Sequence, residues 1–276
     1  MSNWRQLTST ELETVAHIEE LSLSAWPALE TMFFDGWTIR FSDGYTKRSN
    51  SVVPLSRGKQ DIDGKVKYCR QIYNDRHLPT IFKLAETSLN ADLDEYLALL
   101  KFDQIDETMV QTCSLSTVAE ISTDCLDVQN GFSSKWITGF FYCSGLEDPA
   151  KQATAKALLA RISDQVVAVR KAADGRTAGC GFGVVQDQFV GLFDISVHKD
   201  FRRQGIATEI VSTILKRAKS VGATTAYLQV MANNEPALNL YKNFGFKEAY
   251  RYCYRIKQPD HEKELELDNK SLKPTP

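Results

Sequence analysis

The feature of this sequence that most constrains its fold is a short basic loop that connects a strand pattern to a helix pattern. The loop spans residues 202–207 and reads RRQGIA. It follows an apolar run at 189–197, which predicts a buried strand, and it opens a stretch at 205–221 with apolar residues at helical spacing. A strand, a glycine-containing loop and a helix in direct succession are typical of α/β folds.

The same loop has the chemical character of a phosphate-binding site. The first N–H groups of a helix lack partners within the helix, and they carry partial positive charge. Phosphate is a natural ligand for such groups, particularly where a glycine lets the backbone approach closely. Gly205 supplies that glycine, and Ala207 leaves space that a larger side chain would fill. We therefore predict that residues 202–207, called the clamp loop below, bind a pyrophosphate group.

Length and composition exclude several classes of partner. The chain has 276 residues, enough for two domains, and a formal net charge of −2. Such a chain is not a general binder of polyanions, so we predict no nucleic-acid partner and only local phosphate recognition. No segment has the continuity of a membrane span, and the N-terminus lacks the apolar core of a signal peptide. We predict a cytoplasmic protein without a membrane partner.

The six cysteines and four histidines give no sign of a metal site. No C-x-x-C pair occurs, and the histidines share no metal-ligand spacing. We expect free thiols in a reducing compartment and no structural metal.

Strand and helix patterns repeat in a similar order in the two halves of the chain, as a strand pair, a helix, a strand, a helix and a strand. We predict a first domain at 1–122, a second at 123–257 and a disordered tail at 258–276. In the first domain the predicted helices cover 11–23, 61–73 and 92–100, and the strands cover 35–41, 45–53, 80–84 and 107–115. In the second, two helices fall within 133–163, others cover 205–221 and 235–244, and the strands cover 165–170, 177–186, 188–197, 224–231 and 247–256.

A second motif lies downstream of the clamp loop. It consists of Asn234, Ala237, Leu240, Tyr241, Gly245 and Phe246. With the clamp loop it resembles the GNAT superfamily of acyl-CoA N-acyltransferases over about residues 165–257. The clamp loop matches the superfamily's [R/Q]-x-x-G-x-[G/A] pattern, and the second motif matches N-x-x-A-x-x-L-Y-x-x-x-G-F.

The N-terminal half adds a further resemblance, at residues 25–28, 35–37 and 48–51, to a bacterial subfamily with a degenerate GNAT-like domain before the catalytic one. The implied fold is α/β, a mixed twisted sheet with helices on both faces, in two tandem GNAT-like halves. The first half offers only Arg57-Gly58 as a match to the clamp loop, which indicates that this half has lost its cofactor site.

The resemblance implies an N-acetyltransferase that moves an acetyl group from acetyl-CoA to a primary amine of a small molecule, directly in a ternary complex. Tyr241 corresponds to the general acid that protonates the leaving thiolate. The implied cofactor-binding residues are Ile195, Ser196, Val197, Arg202, Arg203, Gln204, Gly205, Ile206, Ala207, Thr208 and Asn234. Two fused halves are compatible with a monomer or a homodimer.

The general base is missing from its usual place. Many members of the superfamily have a glutamate near the position of Gly191, and the nearest carboxylate here is Asp194. Regular alternation along a strand places Asp194 on the face opposite Ile195 and Val197. A water relay and an Asp194 that acts through a β-bulge are both compatible with the sequence, and we take Asp194 as the candidate base.

Several residues have alternative interpretations. Tyr241 is either the acid or a core aromatic, and Asn234 is a helix cap as well as a cofactor ligand. Two further groups either border the acceptor site or stabilise their own half; they are Trp37, Arg40, Arg48 and Asn50, and Tyr250, Tyr252 and Tyr254. An acyl-CoA sensor without turnover and a protein acetyltransferase are the alternative functions.

Overall fold

The strands form one mixed sheet in the computed structural model, which describes residues 7–87, 90–116, 118 and 126–259. The strands are β1 (Glu30–Phe34), β2 (Trp37–Phe41), β3 (Val52–Pro54), β4 (Thr80–Ala85), β5 (Asp103–Ser114), β6 (Leu126–Gln129), β7 (Gln165–Ala173), β8 (Arg176–Gln186), β9 (Phe189–Val197), β10 (Thr225–Met231) and β11 (Lys247–Lys257). Among the described residues the sheet has eleven strands, in the order β1-β2-β3-β4-β11-β5-β10-β9-β8-β7-β6. The predicted α/β class with a mixed sheet is confirmed.

Seven α-helices within the described residues cover both faces of this sheet. They are α1 (Ser9–Ala25), α2 (Ile62–Asn74), α3 (Ala91–Leu99), α4 (Ser134–Ser144), α5 (Pro149–Leu159), α6 (Ile206–Ser220) and α7 (Glu235–Asn243). α1, α4 and α5 share one apolar core with residues such as Phe182 and Phe193. α6 and α7 share another with Leu192 and Leu228, and α2 and α3 pack with Phe82 in a third. Because neighbouring strand residues belong to different cores, the sheet is buried on both sides.

Strands from the two halves of the chain interleave at the centre of the sheet. β5 lies between β10 and β11 and runs antiparallel to both. Its pairing with β10 begins at Ser114 opposite Thr225, and its pairing with β11 begins at Thr112 opposite Lys247. β11 pairs in turn with β4, as far as Lys257↔Thr80. Each half therefore depends on hydrogen bonds from the other to complete its part of the sheet.

The predicted strand at 45–53 was wrong over most of its length. Only Val52–Pro54 is a strand, and Lys47–Ser49 form a 3₁₀ helix. The physical reason is Asn50, whose side-chain amide satisfies backbone groups that would otherwise need a neighbouring strand. Its partners are the N–H groups of Ser42 (2.7 Å) and Gly44 (3.1 Å) and the carbonyl oxygens of Tyr45 and Thr46 (both 2.8 Å).

The sequence analysis also missed two strands, β1 and β6. β1 forms a hairpin with β2 through a turn at Asp35 and Gly36, both of which have positive φ. The turn of this hairpin takes up the first two residues of the predicted strand at 35–41, and β2 pairs antiparallel with β3 on its other edge, as the predicted strand pair required. The other predicted helices and strands are present, with ends displaced by a few residues.

Helix α6 packs closely on β8 because the strand presents glycines to it. A Cβ atom on Gly179 would lie 2.8 Å from a methyl group of Ile206, and one on Gly183 would lie 2.4 Å from a methyl group of Ile214. Side chains at these positions would push the helix away from the sheet. The glycines thereby fix where the N-terminus of α6, and with it the clamp loop, stands against the sheet.

No helix in the described ranges is long and apolar enough to cross a membrane. Five cysteines, Cys69, Cys113, Cys143, Cys180 and Cys253, are buried free thiols. Cys125 lies outside the described residues, as does the predicted tail apart from Gln258 and Pro259.

Candidate active site

The site begins where two central strands stop pairing. β9 and β10 run parallel and pair from Phe189↔Thr225 to Leu192↔Leu228, and no pair follows. Beyond that point β9 continues through Ile195, Ser196 and Val197, the last two paired with β8 on its other side. The edge of β9 that faces β10 is therefore unpaired at its carboxyl end, where an extended ligand can add hydrogen bonds as a strand does.

The clamp loop lies at the end of this edge, between a 3₁₀ helix (Lys199–Phe201) and α6. Arg203 and Gly205 both have positive φ, at 64° and 78°. Within the described residues the N–H groups of 203–208 donate no hydrogen bond, and no side chain caps α6. Consecutive N–H groups without partners at a helix N-terminus form a concave site for an anion.

The side chains of the clamp loop leave these N–H groups accessible. Arg202 is turned back, and its Nε donates to the carbonyl oxygen of Val197 at 3.3 Å. Arg203 and Gln204 are exposed, Ile206 is buried, and a Cβ atom on Gly205 would meet nothing within 4 Å. Ala207 and Thr208 are half-buried. The loop therefore has both the donors and the space that a pyrophosphate requires.

The corresponding loop of the first half is filled by one of its own side chains. The carboxylate of Asp35 accepts hydrogen bonds from the N–H groups of Lys59 and Gln60, all at 2.9 Å, and lies 3.2 Å from Nζ of Lys65. The hydrogen bonds from Gln60 and Lys59 lower the pKa of Asp35. A Cβ atom on Gly58 would collide with Asp35. In this loop the Asp35 carboxylate binds the N–H groups, whereas the N–H groups of the clamp loop have no partner among the described residues.

A β-bulge determines the position of Asp194. The pairing of β8 and β9 shifts between Cys180↔Ser196 and Phe182↔Phe193, so β9 carries one extra residue, and Asp194 has a φ of 49°. Oδ2 of Asp194 is buried and has no hydrogen-bond partner among the described residues. Burial raises the pKa of this carboxyl, and the nearby Arg48 partly offsets the effect.

Tyr241 lies on α7, close enough for Asp194 to affect it. Its ring is 8% exposed and packs edge-on against Phe246, with 5.7 Å between ring centroids. Burial and the Asp194 carboxylate raise the pKa of Tyr241 to about 12, so the hydroxyl keeps its proton at neutral pH. Tyr241 therefore has surroundings that fit a core aromatic and also fit a proton donor.

The usual position of the family's glutamate is occupied by an aromatic ring. A Cβ atom on Gly191 would lie 2.6 Å from Cζ and from the hydroxyl oxygen of Tyr227, on the neighbouring strand. The Tyr227 hydroxyl is itself buried without a hydrogen-bond partner among the described residues. The sequence analysis did not single out Tyr227, since nothing in one sequence shows that it covers Gly191.

Arg48 enters the same region from the first half. Its guanidinium carbon lies 5.6 Å from the ring centroid of Trp26 and 5.7 Å from that of Phe193. Burial disfavours its charge, but Tyr252 and Asp194 nearby outweigh that cost and raise the pKa of Arg48. Arg48 thus reaches Phe193 and Asp194 of the second half, and which of its two interpretations applies stays a prediction.

The other polar residues of that stretch stabilise their own half. Nη1 of Arg40 donates to the carbonyl oxygen of Arg48 at 2.8 Å, and Nη2 donates to that of Leu23 at 3.2 Å. Burial lowers the pKa of Arg40 to about 10. Asn50 holds the turn described above, and Trp37 is part of the first half's core. Arg40 and Asn50 thus fix the backbone that carries Arg48.

The three tyrosines of β11 are buried core residues, each 3–4% exposed. The Tyr250 hydroxyl donates to Glu19 at 2.7 Å, and Glu19 forms a buried ion pair with Lys83 at 2.7 Å. The Tyr252 hydroxyl donates to Gln229 at 3.0 Å. Since these two hydroxyls already have partners, Tyr250 and Tyr252 serve the packing between α1 and the sheet.

Asn234 caps the N-terminus of α7, which confirms the helix-cap role predicted for it from the sequence. Its side-chain oxygen accepts the N–H of Ala237 at 3.3 Å. The side chain is exposed, so its amide N–H₂ remains available to a ligand. Among the described residues no cluster of histidine, cysteine and acidic side chains could hold a metal ion.

Two comparisons with known proteins cover most of this chain. Residues 13–255 match the family model described as "Probable histone acetyltransferase Rv0428c C-terminal". The chain is 26% identical over 254 residues to an uncharacterized N-acetyltransferase, YobR, of Bacillus subtilis, covering 90% of this chain and 100% of that one.

Solved structures share the fold. A GCN5-related N-acetyltransferase from Kribbella flavida has a TM-score of 0.66 at 13% identity, over 91% of this chain and 97% of the other. A tandem GNAT protein from the clavulanic acid biosynthesis pathway has a TM-score of 0.61 at 10% identity, over 88% of each chain. From the family match over most of its length, the chain belongs to the Rv0428c C-terminal acetyltransferase family, within the GNAT N-acyltransferases.

Proposed function

We propose that this N-acetyltransferase transfers an acetyl group from acetyl-CoA directly to a primary amine of a small molecule, with Asp194 as the general base and Tyr241 as the general acid. The observation that carries the proposal is the bulge in β9. It gives Asp194 a raised pKa and a buried Oδ2 without a hydrogen-bond partner among the described residues, within electrostatic reach of a tyrosine that keeps its proton. A base and an acid with well-separated pKa values in one region suit general acid–base catalysis.

The residues present fit acetyl-CoA, which supplies the activated acetyl group. The unpartnered N–H groups of 203–208 would hold its pyrophosphate, and the open edge of β9 at Ile195 and Val197 would hold its extended arm. The amide N–H₂ of Asn234, which is exposed, is a further donor for this arm. Of the two corresponding loops in the described residues, only the clamp loop has this character, since Asp35 occupies the other.

Within this arrangement the protein's own groups move two protons. Asp194 accepts a proton from the acceptor amine, because a carboxylate with a raised pKa is a stronger base than an ordinary one. Tyr241 donates a proton to the leaving thiolate. Asp194 is half-buried, its Oδ2 is inaccessible and Arg48 of the first half lies near it, which favours a small acceptor over a folded protein surface.

Calorimetric titration with acetyl-CoA tests the cofactor site, using two variants that make the same change at opposite ends of α6. Gly205 and Gly222 both have positive φ and open space around a Cβ atom. We expect Gly205→Glu to abolish binding, because the new carboxylate occupies the N–H groups as Asp35 does in the first half. We expect Gly222→Glu to bind as the wild type does, and equal loss in both variants would contradict the assignment.

Thiol release with a panel of amines tests turnover. We expect Tyr241→Phe to keep its affinity for acetyl-CoA and to release CoA on the order of 10- to 1000-fold more slowly. A wild type that binds acetyl-CoA and never releases CoA faster than buffer does would identify a sensor instead. Acetylation of polypeptides alone would identify a protein acetyltransferase.

A further inference from the structure

We propose that the acceptor is an amine that also carries an anionic group, a carboxylate or a phosphate, and that Arg48 of the first half binds this group. The inference rests on the proposed function, because it describes the acceptor side of the same site. It assigns the N-terminal half a direct part in substrate selection.

Aromatic rings hold the guanidinium of Arg48 in place, while the N–H groups along its edge donate to no partner among the described residues. The rings of Trp26 and Phe193 lie 5.6 Å and 5.7 Å from its central carbon. Its Nε is buried without a hydrogen-bond partner, and its Nη atoms make no hydrogen bond or ion pair within the described part of the chain. A guanidinium held by aromatic faces presents its N–H edge as a fork for a carboxylate or phosphate.

Arg40 shows what a structural arginine looks like in the same half. Its guanidinium donates to the main-chain carbonyl oxygens of three residues, Leu23, Trp26 and Arg48. A buried arginine without such partners is costly to the fold, because its donors lose water and gain nothing. The contrast indicates that the donors of Arg48 serve a ligand rather than the fold.

Arg48 and Asp194 lie near each other without forming an ion pair. No N–O distance between them is within 4.0 Å in the described chain, although each affects the titration of the other. Both residues are half-buried, so each keeps some surface that a ligand can reach. Two opposite charges that lie near each other without pairing complement an amine at one end of a ligand and an anion at the other.

Apart from Asp194, the described surroundings of Arg48 offer it no unpaired anion. The tyrosines nearest to it are Tyr252, Tyr254 and Tyr227, and burial raises the pKa of Tyr254 and Tyr227, so both are neutral at physiological pH. The buried carboxylate of Glu19 is already paired with Lys83. An acceptor with its own negative charge therefore has an unpaired cation to bind.

The test compares matched acceptors in a thiol-release assay. The panel contains L-amino acids beside their carboxamides, and ethanolamine phosphate beside ethanolamine. We expect the wild type to prefer the anionic member of one pair by on the order of 10- to 100-fold in kcat/KM, the range for a hydrogen bond to a charged group. The pair that shows the preference distinguishes a carboxylate from a phosphate.

Arg48→Gln should remove this preference, chiefly by raising KM for the anionic member, while acetyl-CoA affinity stays unchanged. Arg48→Lys should restore it in part, since the charge returns without the planar fork. Lys47→Gln is the matched control, because Lys47 lies on the same 3₁₀ helix and pairs with Asp106 at 2.8 Å. It should keep the wild-type preference.

Equal rates for both members of every pair would overturn the inference and leave the proposed function standing. An equal loss on both members in Arg48→Gln would also overturn it, since Arg48 would then act only on Asp194. Failure to react with any anionic amine, while acetyl-CoA binds, counts against it as well. Absence of acetyl-CoA binding would instead remove the proposed function itself.

Discussion

Asp194 is a residue whose chemistry depends on a local irregularity of the backbone. The extra residue in β9 gives Asp194 a positive φ, which a side chain other than glycine adopts only at some cost. The same bulge buries Oδ2 of its carboxylate, which has no hydrogen-bond partner in the part of the chain that the structure describes. Bulges recur beside active sites because they redirect a side chain without disturbing the rest of the strand.

Replacement of the Asp194 carboxylate should lower the activity of the protein without lowering its stability. Asp194→Asn removes the proposed base, so we expect kcat/KM to fall on the order of 100- to 10,000-fold and its rise with pH to disappear. Asp187→Asn is the control, because Asp187 also has positive φ but is exposed. An unchanged kcat/KM and pH profile in Asp194→Asn would favour the water relay.

The stability effect follows from the direction of the pKa shift. Since the pKa of Asp194 is raised in the folded protein, the folded state binds more protons than the unfolded state at pH values above the ordinary 3.8. Its contribution to stability is therefore lost as the pH rises through the folded pKa. We expect Asp194→Asn to raise Tm more at pH 8 than at pH 4, as measured by thermal unfolding.

At the scale of elements, two loops in corresponding positions differ in one respect that matters for function. The clamp loop leaves its N–H groups unpartnered and is followed directly by α6. The loop before α2 donates its N–H groups to Asp35, and Asp61 caps the helix. A helix N-terminus attracts an anion in both places, and only the source of the anion differs.

This difference predicts the stoichiometry of cofactor binding. We expect calorimetry to give one acetyl-CoA per chain, because in the described loop before α2 the Asp35 carboxylate already occupies the N–H groups of Lys59 and Gln60. Gly205→Glu should reduce the number to zero, which places that single site at the clamp loop. Two bound molecules per chain, or residual saturable binding in Gly205→Glu, would contradict the comparison of the loops.

At the scale of the whole molecule, the exchange of strands makes the halves interdependent. β10 and β11 belong to the second half, yet β5 of the first half lies between them. Trp26 adds to this dependence by stacking on Phe182 and Phe193 of the second half, 6.0 Å and 6.3 Å between ring centroids. The candidate site also draws Arg48 from one half and Asp194 from the other.

Expression of residues 123–276 alone tests this dependence. Without β5, the edges of β10 and β11 lose their hydrogen-bond partners, so we expect this piece to aggregate or to show little native circular dichroism. Addition of residues 1–122 by co-expression should recover folding and acetyl-CoA binding. A soluble, monomeric piece that binds acetyl-CoA as the full chain does would contradict the prediction.

The sequence by itself determined the order of most elements, the α/β class and the family. These features are local: apolar spacing shows a helix or strand, and the glycine of the clamp loop and the asparagine and tyrosine of the second motif stand at fixed separations along the chain. The same information shows that the usual glutamate is absent at Gly191. It does not show what replaces it.

Only the tertiary structure shows which side chains meet at the candidate site and what surrounds each of them. The sequence around Arg48 has the pattern of a strand, and only the structure shows that the Asn50 side chain binds the preceding backbone at Ser42 and Tyr45. The bulge at Asp194, the Tyr227 ring over Gly191 and the Asp35 carboxylate in the first loop are contacts between distant segments. Such contacts depend on which strands become neighbours, and a periodic pattern along one chain carries no record of that choice.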